Sequence, residues 1–195
     1  MPRTREFNKD DVIVRAMRLF WKHGYEGTSI RDLIDAMGIS SSSMYEVFRD
    51  KRGVFLAALA YFCEQERARI AQMAYDASTP EAFIRQLFGT VDQVSQAQNT
   101  SLSGSMAFNA MVEFGTRDPD VTQLLLAHYV GIAQIVADVI RRGQAQGSVT
   151  SAADPLHLAY TMLTALHGVA TVKGAQPNFQ YASAITDTIV KLLYL

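Results

Sequence analysis

Three observations predict an all-α fold for this chain. First, residues 28–51, TSIRDLIDAMGISSSSMYEVFRDK, read as two short helices about a glycine turn. Second, an N-cap residue is followed by proline, the preferred first helical residue, at Thr79-Pro80, Asp118-Pro119 and Asp154-Pro155. Third, the segments between breakers carry apolar residues at helical spacing. The segments amount to about nine helices. They divide into a small three-helix unit at 1–52 and a larger helical unit at 53–195.

Residues 2–8 hold Arg3 and Arg5 and read either as a frayed terminus or as a short arm for phosphates or a minor groove. From Asp10 or Asp11 a helix runs to His23, with Val12, Ala16, Leu19 and Phe20 on one stripe and Arg15, Arg18 and Lys22 outside it. Gly24 stops it, and Tyr25 packs beneath the turn. Thr28 and Ser29 are N-cap types ahead of Ile30, Leu33 and Ile34, and Gly38 supplies the left-handed end, with Ile39 in the angle. Ser40 opens the second short helix, anchored inward by Met44, Val47 and Phe48.

A long helix starts at Asp50 and keeps its period through Val54, Phe55, Ala58, Leu59 and Phe62 up to Ser78-Thr79-Pro80. Cys63 within it reads as a buried structural thiol, because Glu64 and Glu66 would raise its pKa. Helices follow from Pro80 to about Gln98, from Ser105 to about Phe114 after a polar break at 99–104, and from Pro119 to Arg141-Arg142-Gly143. The next, Pro155 to Lys173, is apolar nearly all round and needs neighbours on more than one side; Gly174 ends it. After Pro177 a last helix carries Tyr181, Ile185, Thr188 or Ile189, and Leu192 as a flat stripe.

Composition sets outer bounds. With 195 residues and 49% hydrophobic content the chain can bury a sizeable core. Net charge is −1, split weakly: residues 1–55 hold ten Lys/Arg against eight Asp/Glu, and 56–195 hold eight against eleven. That asymmetry gives slight support for a polyanionic partner at the N-terminal end. A single cysteine precludes an internal disulfide, and the charged start lacks an apolar leader, so a cytoplasmic setting is expected. The longest charge-free apolar stretch, Pro155 to Val172, contains His157, Thr161, Thr164 and His167 and reads as a buried helix rather than a membrane span.

In a helix-turn-helix the second helix enters the major groove by its N-terminal end, which brings Ser40, Ser41, Ser42 and Ser43 nearest the bases and phosphates. Thr28 and Ser29 would sit at a second helix start, Tyr45 could send its hydroxyl to a phosphate, and Lys51 lies beside a third helix start. The run from Val12 to Phe55, with Gly24-Tyr25, Thr28-Ser29, Gly38-Ile39-Ser40 and Tyr45-x-x-Phe48-x-x-Lys51, resembles the DNA-binding domain of TetR-family transcriptional regulators. The resemblance implies a homodimer on an inverted-repeat operator in double-stranded DNA, controlled by a small-molecule effector, with repression the expected outcome. Many relatives have lysine near Ser41 and small residues, aromatics or histidine near Glu46, where this chain has an acid. Glu46 either turns away from DNA or accepts from a cytosine amino group.

The larger unit holds more aromatics, methionines and lone polar groups than a sealed aliphatic core needs. Phe83, Phe88, Met106, Phe108, Asn109, Met111, Phe114, His128, Tyr129, Tyr160 and His167 are the candidates for an effector pocket. Gly104-Ser105-Met106 resembles a helix start at which some relatives carry a sensing cysteine; with Ser105 there, a non-covalent, largely apolar ligand is expected. The last two helices would form a four-helix dimer interface through Leu158, Met162, Leu166, Tyr181, Ile185, Thr188 and Leu192. No cofactor or metal is implied: His23, His128, His157 and His167 are dispersed, and no motif sets a nucleophile beside a base, which argues against an enzyme. A protein-interaction module with a degenerate helix-turn-helix that does not bind DNA is the alternative.

Overall fold

The computed structural model describes residues 8–96, 104–176 and 178–195, and within residues 92–96 the backbone alone. The arm with Arg3 and Arg5, most of the polar break at 99–104, and Pro177 lie outside the described residues. Among the described residues every regular element is a helix: α1 Lys9–His23, α2 Ile30–Met37, α3 Ser41–Phe48, α4 Lys51–Asp76, α5 Pro80–Gln96, α6 Met106–Phe114, α7 Pro119–Ala145, α8 Pro155–Ala175 and α9 Ala182–Lys191.

The first three helices are fixed by their ends. Asn8 caps α1 by accepting from the Asp10 N–H at 2.9 Å, so the cap lies earlier than expected and Asp10 and Asp11 occupy the first turn, where the helix dipole favours carboxylates. Ser29 and Asp32 form a reciprocal capping box at α2, with both side chain to backbone distances 3.1 Å. Gly38 ends α2 at φ 70°, ψ 29°, the left-handed conformation its lack of a Cβ allows. Ser40 caps α3 by accepting from the Ser43 N–H at 3.1 Å.

The α3–α4 joint is tight. The Asp50 N–H donates to the Phe48 carbonyl at 2.9 Å around Arg49, which sits at φ 72°, ψ −50°. This is a positive-φ γ-turn, a rare conformation for a residue with a side chain. Asp50 then caps α4 by accepting from the Gly53 N–H at 2.7 Å. A Cβ on Gly53 would stand 1.9 Å from the Phe48 carbonyl oxygen, so only glycine allows the two helices this approach.

Two apolar cores follow. One joins Val12, Ala16 and Phe20 of α1, Leu33 and Met37 of α2, Met44 and Phe48 of α3 and the first half of α4 to Met106, Ala107 and Ala110 of α6 and Val121 and Leu125 of α7. The other joins the second half of α4 to α5, α7, α8 and α9. The 26-residue α4 runs through both.

The three N-cap and proline pairs all begin helices, capped by the side chains of Thr79, Asp118 and Asp154. The helix ends differ from expectation. α7 continues past Gly143 to Ala145, because Gly143 is buried inside the helix, where a Cβ would meet Val149 at 2.5 Å and Pro80 at 2.7 Å. That glycine serves close packing rather than termination. α8 likewise continues through Gly174 to Ala175. Among the described helices, α7 rather than α8 has the length and apolarity of a membrane span, and it turns Ile132, Ala133, Val136, Ala137 and Ile140 into the second core.

Candidate nucleic-acid interface and ligand cavity

Met44 and Phe48, four residues apart, bury one face of α3 and leave Ser41, Ser42, Tyr45 and Glu46 exposed on the other. Tyr45 keeps 45% of its surface. Val47, expected as an inner anchor, is instead 40% exposed, since the residue before Phe48 is turned about 100° around the helix. The Ser40 hydroxyl lies 2.9 Å from those of both Ser42 and Ser43, so the serines form a linked set of hydroxyls at the start of α3.

The other sequence-derived positions are engaged within the protein. Thr28 is 1% exposed and its hydroxyl donates to the Gly24 carbonyl at 2.7 Å, which makes it a brace for the turn. Ser29 is exposed and shares its hydroxyl with Asp32. The Lys51 ammonium stands 4.3 Å from the centroid of the Tyr25 ring, a cation–π contact. Tyr25 in turn belongs to an aromatic cluster with Phe20, Phe55 and Phe114.

Helix α6 and the loop after it grip the helix-turn-helix. The Glu113 carboxylate accepts from the backbone N–H groups of Tyr25 at 2.9 Å and Glu26 at 2.8 Å. Arg52, near the start of α4, donates to both oxygens of Asp118 at 2.6 and 2.8 Å and to Asp120 at 2.6 Å. The Arg52 guanidinium, helped by backbone N–H groups of Val121 and Asp120, pulls the Asp118 carboxyl down to about 2. Neither acid stands out as a site residue from the sequence, because both partners lie more than sixty positions away in the chain.

Five effector candidates meet around one small cavity. Phe108 and Met111 of α6, His128 and Tyr129 of α7 and His167 of α8 line it, with Ser105, Ala107, Leu125 and Ile132. Its volume is about 20 Å³, enough for one water-sized group. The Phe108 and His167 rings stack at 4.5 Å and 5°, and burial pushes the His167 imidazole below its ordinary pKa. The other candidates lie elsewhere. Phe83 and Phe88 are buried in the second core, Tyr160 lies outside the cavity with its ring tilted 36° against that of Tyr129 at 5.6 Å, and Phe114 joins the aromatic cluster. Met106 and Asn109 line a separate cavity of about 190 Å³ between α6 and α1, with Trp21, Lys22 and Glu113.

Sequence reasoning missed Glu66. Its carboxylate lies 2.8 Å from His128 Nε2 and 3.4 Å from the Ser105 hydroxyl, beside the cavity. The signal was present: Glu66 falls on the buried stripe of α4 with Leu59, Phe62, Cys63 and Ile70, where an unpaired carboxylate would be costly. His128 Nδ1 is buried without a partner among the described residues. Cys63 is buried on the same helix, and burial first and the Glu66 charge second push its thiol up to about 12. Among the described residues no group of three His, Cys, Asp or Glu is placed to hold a metal ion.

On the last two helices, Met162 is fully covered within the protomer, and Leu158 and Leu166 are buried as well. The exposed residues of α8 include His157, Thr161, Thr164, Gly168, Thr171 and Val172. Tyr181 is 68% exposed and Thr188 exposed, while Ile185 and Leu192 are half-buried.

Comparison with known proteins accords with this architecture. Residues 12–58 match the family described as "Bacterial regulatory proteins, tetR family", and residues 81–182 match "Tetracyclin repressor-like, C-terminal domain". The HTH-type transcriptional repressor ComR of Escherichia coli K12 is 24% identical over 191 residues, covering 97% of this chain and 90% of that one. The HTH-type transcriptional repressor BdcR of the same organism is 25% identical over 145 residues, 74% of this chain and 71% of that one. Among solved structures, a cysteine mutant of the TetR family transcriptional regulator CifR, complexed with 26-base-pair operator DNA, superposes with TM-score 0.80 at 26% identity over 98% of this chain and 97% of that one. Reduced E. coli NemR shares the fold with TM-score 0.84 at 15% identity over 92% and 93% of the two chains.

Proposed function

The chain belongs to the tetR family of bacterial regulatory proteins and is a DNA-binding transcriptional regulator, and on that premise we propose that it acts as a homodimeric repressor of an inverted-repeat operator, released by a small, largely apolar effector. The observation that carries the reading is the division of α3 into a buried anchor, Met44 and Phe48, and an exposed face of Ser41, Ser42 and Tyr45. Short hydroxyls permit close approach to the groove, and Tyr45 can reach a phosphate. A related chain is named a repressor and another was solved on operator DNA, which supports both halves of the proposal. The exposed faces of α8 and α9 support the dimer: Thr161, Thr164 and Gly168 are small enough for partner helices to approach, with Tyr181, Ile185, Thr188 and Leu192 at the flank.

The effector enters at the cavity beside Glu66 and His128. A cavity of about 20 Å³ admits a compound larger than water only if α6 parts from α7 and α8. The same helix carries Glu113, so parting it shifts the grip on Tyr25 and Glu26. The two recognition helices then leave the spacing that one helical repeat of DNA requires, and affinity falls by the ligand's differential affinity for the two states.

Selection of random duplex DNA by the purified protein, followed by anisotropy at two salt concentrations, tests the reading. The expected outcome is an inverted repeat bound with a steep salt slope, weakened by Tyr45→Phe and by Lys51→Ala while the dimer persists. No enrichment by folded, dimeric protein would overturn it in favour of an interaction module. Unchanged affinity in both variants would sink the docking mode alone.

A further inference from the structure

The cations near α3 differ in how they are held. Arg52 is committed to Asp118 and Asp120, Lys51 rests over the Tyr25 ring, and the Arg15 guanidinium donates to the Met37 carbonyl at 3.4 Å. Arg49 is exposed and makes no side-chain hydrogen bond or ion pair among the described residues. It is also the one non-glycine residue with positive φ among them. Its N–H donates to the Tyr45 carbonyl at 3.0 Å, closing α3, while its neighbour Asp50 donates back to Phe48 to close the γ-turn.

Nothing in the fold asks for arginine at that position. Glycine would adopt φ 72° without the Cβ penalty, and the turn is already held from both sides by the Asp50 cap on Gly53 and the close approach of Gly53 to Phe48. A strained residue retained where glycine would fit better points to a use for its side chain. An exposed guanidinium four residues after Tyr45, at the junction of α3 with α4, suits a phosphate. We propose that Arg49 is a DNA-backbone contact, held at a conformational cost to the fold and binding a phosphodiester next to the one reached by Tyr45. The inference rests on the operator-binding reading above.

The test uses opposite signs. Arg49→Gly is expected to raise the melting temperature by about 2 °C, as relief of strain outweighs the added freedom of the unfolded chain. The same variant is expected to weaken binding about tenfold at moderate salt, alike for operator and random duplex, and to reduce the log–log salt slope by about 1. Arg49→Lys should keep the wild-type slope, because it keeps the charge. Arg49→Gln should keep the wild-type melting temperature and reduce the slope by about 1, as Arg49→Gly does. A wild-type slope unmoved by Arg49→Gly overturns the contact, and so does weakened binding accompanied by a lower melting temperature, which would mark Arg49 as structural. A wild-type protein without salt-dependent binding overturns the operator reading together with this one.

Discussion

Asp118 shows how one side chain can serve two helices. It caps α7 by accepting from the Asp120 and Val121 N–H groups, both at 3.1 Å, and it receives Arg52 of α4 on both oxygens. These bonds favour the charged form and pull its pKa from 3.8 to about 2. A carboxyl whose pKa is lower in the folded state adds stability that is complete above its unfolded value and is lost as pH falls through the folded one. Asp118→Asn should therefore melt roughly 4 °C below wild type near pH 6, equivalent to about 1.5 kcal/mol in a chain of this size. That gap should narrow below about pH 4 and close near pH 2; a gap constant across the range would show that the carboxylate charge contributes nothing. The residue types at such positions were legible in the sequence, but their partners were not. Thr28 reads from the sequence as a hydroxyl at a helix start facing the DNA backbone and is a brace for Gly24, because N-cap character fits both positions of Thr28-Ser29 and only the capping box selects Ser29.

Helix α6 is the element on which the proposed response depends. Within nine residues it presents Phe108 and Met111 to the small cavity and Glu113 and Phe114 to the helix-turn-helix. Glu113→Gln would leave one acceptor and turn an amide N–H toward a backbone donor, so one of the two bonds is lost. The Tyr25 and Glu26 amides should then exchange with deuterium about tenfold faster, corresponding to roughly 1.4 kcal/mol of local protection, while amides in the second core keep their rates. Unchanged exchange at those two amides would show that the carboxylate does not hold the loop. Helix starts were legible because caps and proline are local signals, and Pro80, Pro119 and Pro155 each open a helix. Ends and faces were less so. Gly143 read as a stop and is a packing site, and Val47 read as core and is exposed, since periodicity registers an apolar residue without showing what covers it.

At the scale of the whole molecule, the core under the helix-turn-helix head is shared. Phe20, Met37 and Phe55 are completed by Met106, Ala107, Ala110, Val121 and Leu125 from the far side of the sequence. The sequence-based boundary at residue 52 falls inside that core, because Val54, Phe55, Ala58, Leu59 and Phe62 belong to it. Leu125→Ala, in α7, should therefore destabilise the helix-turn-helix by about 2–5 kcal/mol. Hydrogen exchange in α1 and α2 would reveal it as loss of protection, and full protection there would show that the two regions are stable independently. Division of the chain into head and body was legible from motif and charge; the continuity between them was not, because contacts spanning such separations leave no local pattern. The shared core also limits engineering. A chimaera carrying only a transplanted head would meet α6 and α7 side chains shaped for other partners. If DNA docks as proposed, retargeting this regulator to a new promoter calls for substitutions on the outer face of α3, or for a graft that brings the matching surface of α6 and α7 with it.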